Sequence, residues 1–66
     1  MSDFEKILKA IEEGGRYKLS KNCDPNTYEY WEWSDSKSIT IYLGDYDYGT
    51  SVDLDFDAEG NLIEIC

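Results

Sequence analysis

The fold turns on residues 38–57, SITIYLGDYDYGTSVDLDFD. Two stretches inside it alternate strictly. In the first, Ile39, Ile41 and Leu43 fall on one side and Ser38, Thr40 and Tyr42 on the other. In the second, Val52, Leu54 and Phe56 alternate with Ser51, Asp53, Asp55 and Asp57. Successive side chains of a strand point to opposite faces, so the pattern predicts two strands that share one apolar and one wet face. That is the signature of an antiparallel sheet, since buried parallel strands read as unbroken apolar runs. The connection over residues 44–49 carries Asp45, Tyr46, Asp47 and Tyr48 between two glycines.

Working upstream, residues 27–33 read TYEYWEW, dense in strand formers, with a polar turn over 34–37. Here aromatics occupy both phases of the alternation. Tyr tolerates water better than Trp, so Trp31 and Trp33 are expected inside, with Tyr28, Tyr30 and Glu32 on the wet face. Asp24-Pro25-Asn26 makes a turn, because Pro presets its own dihedral. Residues 16–21 alternate with Tyr17 and Leu19 on one side. Downstream, residues 57–61 form a hairpin loop and 62–65 a closing strand.

The segment before all of this is helical. Ser2 and Glu5 have the spacing of a capping box, and Phe4, Ile7, Leu8 and Ile11 make one apolar stripe. Gly14 and Gly15 end it, giving a helix over roughly residues 3–13. A helix this short is marginal alone, so its stripe must pack on the apolar sheet face. The expected architecture is α+β: one N-terminal helix on a four- or five-stranded antiparallel sheet, in one domain over residues 1–66.

Composition narrows the function. The chain has 66 residues, 15 acids against 6 bases, no His, and a formal net charge of -9. Hydrophobic residues at 41% and aromatics at 15% are too many for a disordered acidic tail. No apolar run reaches the roughly 20 residues of a membrane span, and no export-signal pattern opens the chain, so a cytoplasmic protein of a bacterial host is expected. Cys23 and Cys66 then read as reduced thiols, and two thiols without His fall short of a zinc site. Asp53-x-Asp55-x-Asp57 resembles the start of a calcium loop, but Ala58 stands where that loop needs Gly, and the flanks alternate as strands. There is no nucleophile–base pair, phosphate loop or dinucleotide motif. No enzyme activity, cofactor or metal is expected.

The charge is segregated. Residues 1–22 hold four acids and five bases, a net of +1, whereas residues 23–66 hold eleven acids and Lys37 alone, a net of -10. Asp53, Asp55 and Asp57 point the same way along one strand at intervals of about 6.6 to 6.8 Å. Asp has poor strand propensity and like charges at this spacing repel, a local conflict of the kind that marks functional sites. Carboxylates interleaved with Tyr hydroxyls imitate a phosphate backbone toward a groove lined with Lys and Arg, and Tyr rings stack on guanidinium groups. The candidate binding residues are Asp45, Asp47, Asp53, Asp55 and Asp57, with Tyr42, Tyr46 and Tyr48. Glu29, Glu32 and Asp35 form a second tier, because their facing depends on which aromatics go inside.

In size, charge and layout the chain resembles the small acidic inhibitors of phages and mobile elements, of the anti-CRISPR type. The resemblance covers the whole chain without a diagnostic motif. It implies a monomer that binds the basic nucleic-acid-binding site of a CRISPR effector complex and blocks target DNA. The alternative is an immunity protein that neutralises a toxin nuclease by charge complementarity. In either case the partner is a basic nucleic-acid-binding protein, not nucleic acid or membrane.

Overall fold

The computed structural model describes residues 1–21, 26–44 and 50–66. Helix α1 (Asp3–Gly14) precedes strands β1 (Lys18–Leu19), β2 (Thr27–Glu32), β3 (Ser36–Tyr42), β4 (Ser51–Asp57) and β5 (Leu62–Ile65). The strands form one sheet in chain order, β1 to β5, with the helix packed on one face. The α+β expectation holds.

The helix begins and ends where its punctuation requires. The Ser2 hydroxyl accepts from the Glu5 backbone N–H at 3.2 Å, satisfying a donor that the first turn leaves open. Gly15, at φ 68°, takes the left-handed cap conformation at the other end. Asp3 does more than favour the positive end of the helix. Its carboxylate accepts from the Leu62 backbone N–H at 3.1 Å, while the Phe4 N–H donates to the Gly60 carbonyl at 2.9 Å. Two bonds thus tie the start of α1 to the turn between β4 and β5. Gly60 permits the approach: its φ is +87°, and a Cβ there would lie 2.6 Å from the Ser2 hydroxyl oxygen.

The core is small and built as the alternation implied. Phe4 from the helix stripe meets Ile39, Leu54 and Phe56 from the sheet, with Ile7, Leu8, Ile11, Ile41, Val52 and Leu62 packed around them. Phe4 and Phe56 meet edge to face, with ring centroids 5.3 Å apart. Lys37 also lies over the Phe4 ring, 5.7 Å from its centroid. The only base in residues 23–66 is therefore drawn to the helix side of the sheet.

Two expectations are corrected. First, the Tyr pair, not the Trp pair, faces the helix. Tyr28 is 5% exposed, and Tyr30 packs edge-on to Phe4 at 6.2 Å, whereas Trp31 and Trp33 are 39% and 51% exposed. The reason is register. Tyr28 stands opposite Ile41 and Tyr30 opposite Ile39, and directly paired residues share a face. The buried Tyr28 keeps a polar partner, its hydroxyl donating to the Glu12 carboxylate at 3.4 Å. Burial, and then the Glu12 charge, push its phenol above the ordinary value.

Second, β1 is parallel to β2, pairing Lys18 with Thr27 and Leu19 with Tyr28, so the sheet is mostly rather than wholly antiparallel. Parallel neighbours ordinarily need a crossover of a dozen or more residues. Here the strand is only two residues long, and Asn26, at φ 59°, leads directly into β2 beside it. The rest of the sheet is antiparallel. A bulge at Asp55/Phe56 leaves Ile63 between the paired Leu62 and Glu64.

Candidate functional site

Among the described residues α1 covers one face of β2–β5 and nothing covers the other, and the register lays that open face's side chains out as a grid. One row across the strands reads Trp31, Ser38, Asp55, Glu64. The next reads Glu29, Thr40, Asp53, and ends at Cys66, which exchanges both backbone bonds with Asp53. On the far side of the Trp31 row, Trp33 bonds through its N–H to the Ser36 carbonyl, and Ser36 stands opposite Asp57. Neighbouring strands are about 4.8 Å apart, so each row is a line of groups at that spacing.

Strands β2–β5 place five carboxylates on this face, those of Glu29, Asp53, Asp55, Asp57 and Glu64, and no base. Beside them Trp31 and Trp33 stack in parallel, with ring centroids 6.4 Å apart and planes within 6°. The face is thus an acidic field bordered by a flat exposed aromatic pair. Aromatic rings of this kind offer large, rigid contact area at low entropic cost and form strong stacking partners for guanidinium groups.

The individual carboxylates differ in what they already do. Asp53 accepts from the Thr40 hydroxyl at 2.7 Å, a cross-strand bond that fixes its rotamer. Glu29 accepts from the Tyr42 hydroxyl at 3.3 Å, so Tyr42 and Glu29 form one unit on the face. Asp55 and Glu64 stand directly opposite each other. Asp57 is engaged by its own hairpin loop, accepting from the backbone N–H groups of Glu59 and Asn61, each at 2.9 Å, and from the Asn61 side-chain amide at 3.1 Å. The Asn61 backbone bond, ahead of the others, lowers the Asp57 pKa from the ordinary carboxylate value. Asp57 therefore lies on the face but serves chiefly to shape the turn.

Of the residues singled out from sequence, Asp53, Asp55, Asp57, Tyr42 and Glu29 come together on the open face. Glu32 does not: it stands opposite Lys37, on the side of the sheet that carries Tyr28 and Tyr30. Its displacement follows from the same register that turned the Trp pair outward. Asp35 is exposed in the turn between β2 and β3, at the rim. Asp45, Asp47, Tyr46 and Tyr48 lie outside the described residues. Sequence reasoning missed Trp31, Trp33 and Glu64 as members of the face. The signal for Glu64 was present, since a hairpin closing over residues 57–61 brings it opposite Asp55.

Cys66 is exposed at the end of the second row. A hydrogen bond with Glu64 and the Glu64 charge hold its thiol above the ordinary value, with smaller contributions from Asp55 and Asp53. The shift disfavours the thiolate, which is the nucleophilic form. Donor atoms of Asp55, Glu64 and Cys66 lie within 4.8 Å of one another. Exposed acidic groups commonly lie this close without a metal, so the trio does not by itself make a metal site. Among the described residues no helix is long and apolar enough to cross a membrane.

The chain matches no protein-family model, no curated protein and no solved structure.

Proposed function

We propose that the protein is a small acidic inhibitor that occupies the basic nucleic-acid-binding surface of a partner protein with its open sheet face. The reading rests on one observation: strands β2–β5 gather five carboxylates, no base and a stacked Trp pair on the face that the helix leaves uncovered. Complementary charge speeds encounter and selects the partner, while a desolvated aromatic anchor supplies affinity. Trp31 and Trp33 take the anchor role that the sequence reading gave to Tyr side chains. Asp53, Asp55 and Glu64 present the acceptors, with Glu29 and Tyr42 completing the field.

The partner class follows from the chemistry of that field. Rows of acceptors at strand spacing suit a groove built to track a phosphate backbone with Lys and Arg. The layout-level resemblance to anti-CRISPR inhibitors makes a CRISPR effector complex the first target to test. The test is direct binding of the purified chain to purified effector complexes and, in parallel, to basic toxin nucleases. Submicromolar capture by an effector, weakened by salt, supports the reading. Capture by a nuclease alone turns the same face into that of an immunity protein, and binding to neither contradicts both.

A further inference from the structure

The exposed apolar side chains Leu19, Tyr30, Trp31 and Trp33 all lie at or beside one edge of the sheet, where β1 stops. Strand β1 covers β2 only at Thr27 and Tyr28, and the Ser20 N–H adds a last bond to the Tyr28 carbonyl at 2.8 Å. Beyond that point β2 runs on through residues 29–32, and among the described residues no strand lies beside it on that side. An open cleft of about 440 Å³ lies at this edge among the described residues, lined by Leu19, Ser20, Glu29, Tyr30 and Trp31.

The backbone of this edge is set for pairing. The Trp33 N–H bonds to β3 through the Ser36 carbonyl, and the Tyr28 carbonyl bonds outward to Ser20. Backbone groups alternate sides along a strand, so the N–H and C=O of Tyr30 and Glu32 point outward, away from β3. An edge of this kind is a template for another strand.

We propose that this edge accepts an extended segment of a basic partner protein as an added strand, in line with β1. Its main chain bonds to Tyr30 and Glu32. Its side chains alternate, one set reaching the open face beside Trp31 and the acidic rows, the other lying against Tyr30 and Leu19. The segment therefore alternates Lys or Arg with apolar residues. Charge chooses this occupant over a second copy of the chain, which would bring another net charge of -9 to an edge that already carries Glu29 and Glu32. The proposal deepens the reading above, because it takes the partner to be basic, and it specifies how that partner is gripped.

The probe is an end-capped hexapeptide, Lys-Val-Lys-Val-Lys-Val, in three forms: unmodified, N-methylated on its Val residues, and N-methylated on its Lys residues. Only one edge of an added strand faces β2, so one methylated form is expected to bind about tenfold or more weaker than the other, the loss of one or two net hydrogen bonds. Equal affinity of the two methylated forms, whether high or low, overturns the proposal, because binding by charge alone ignores which N–H is blocked. On the protein side, Glu32→Pro removes an outward N–H without touching a bond to β3, and Glu32→Gln removes the charge alone. The Pro variant, folded by circular dichroism, is expected to bind the unmodified peptide about tenfold or more weaker than the Gln variant does. Equal binding by the two overturns the proposal. Displacement of DNA from an effector without capture of any peptide would overturn strand addition and leave the proposed function standing; capture of the peptide without displacement would do the reverse.

Discussion

Asp55 and Glu64 stand directly opposite each other across β4 and β5, two carboxylates on one open face with no base between them. Like charges in that relation destabilise a sheet, by roughly 0.2 to 1 kcal/mol per pair. Glu64→Lys converts the clash into an attraction and is expected to raise stability by about that amount. Urea unfolding at low salt measures it, and the gain should shrink as ionic strength rises. A Glu64→Lys variant no more stable than wild type would show that the repulsion is already relieved by solvent.

Gly60 holds the helix against the sheet. Its φ of +87° is one that side chains rarely adopt, and a Cβ would meet the Ser2 hydroxyl at 2.6 Å and the Phe4 Cβ at 3.3 Å. Gly60→Ala is expected to cost upwards of about 1 kcal/mol, from backbone strain and from displacement of the N-cap. In a domain of this size the total stability is only a few kcal/mol, so the shift in urea midpoint will be large. Gly14→Ala is the control: a Cβ there meets nothing within 4 Å.

The stacked Trp pair has an optical signature. Both rings stand on the open face, so acrylamide should quench their emission readily. Trp31→Ala and Trp33→Ala should each remove part of that emission. Because Trp31 and Trp33 are 39% and 51% exposed, neither change should unfold the protein, and the emission should lie to the red of a buried indole's. A blue-shifted emission shielded from acrylamide would return the Trp pair to the core.

That pair also marks where the sequence stopped being legible. The helix, its caps, the two alternating strands and the core of Ile39, Leu54, Phe56 and Phe4 followed from periodicity, because only one phase of each pattern is apolar. In β2 both phases are aromatic, so hydropathy alone cannot orient it. The deciding information is the turn. Trp33 pairs with Ser36 across a two-residue loop, and any even-numbered loop here sets Trp33 opposite a residue facing away from Ile39 and Ile41. Parity therefore pointed the Tyr residues inward even though residue preference pointed the other way. The parallel β1 left no comparable trace. A two-residue strand has no period, and a seven-residue return is shorter than parallel pairing usually needs. On the open face, Asp53 and Asp55 were readable from alternation, whereas Asp57 was readable only as a position, since its engagement with Glu59 and Asn61 depends on the turn geometry.

Asp57 supplies a pH dependence. Its folded carboxyl is lowered from the ordinary value, mainly by the bond from the Asn61 backbone. Such a group adds stability at pH values above its unfolded pKa of about 3.9, and that stability is lost as pH falls through the lower folded value. Wild type is therefore expected to exceed Asp57→Ala in stability at neutral pH, with the gap closing below about pH 4. Thermal unfolding of both proteins from neutral pH downward checks it. A constant gap across the range would mean that the loop does not depend on the ionised carboxylate.

The central claim is that the open face competes with nucleic acid for a basic surface. Its most direct measurement is displacement of labelled duplex DNA from a purified CRISPR effector complex. Wild type is compared with an Asp53→Asn, Asp55→Asn, Glu64→Gln variant that spares Asp57 and its loop. The account predicts displacement by wild type at about 0.1 M salt, weaker displacement at about 0.5 M, and a loss of about tenfold or more in the variant, since exposed charges are screened over a Debye length. A folded variant that displaces DNA as well as wild type, or displacement indifferent to salt, would contradict it.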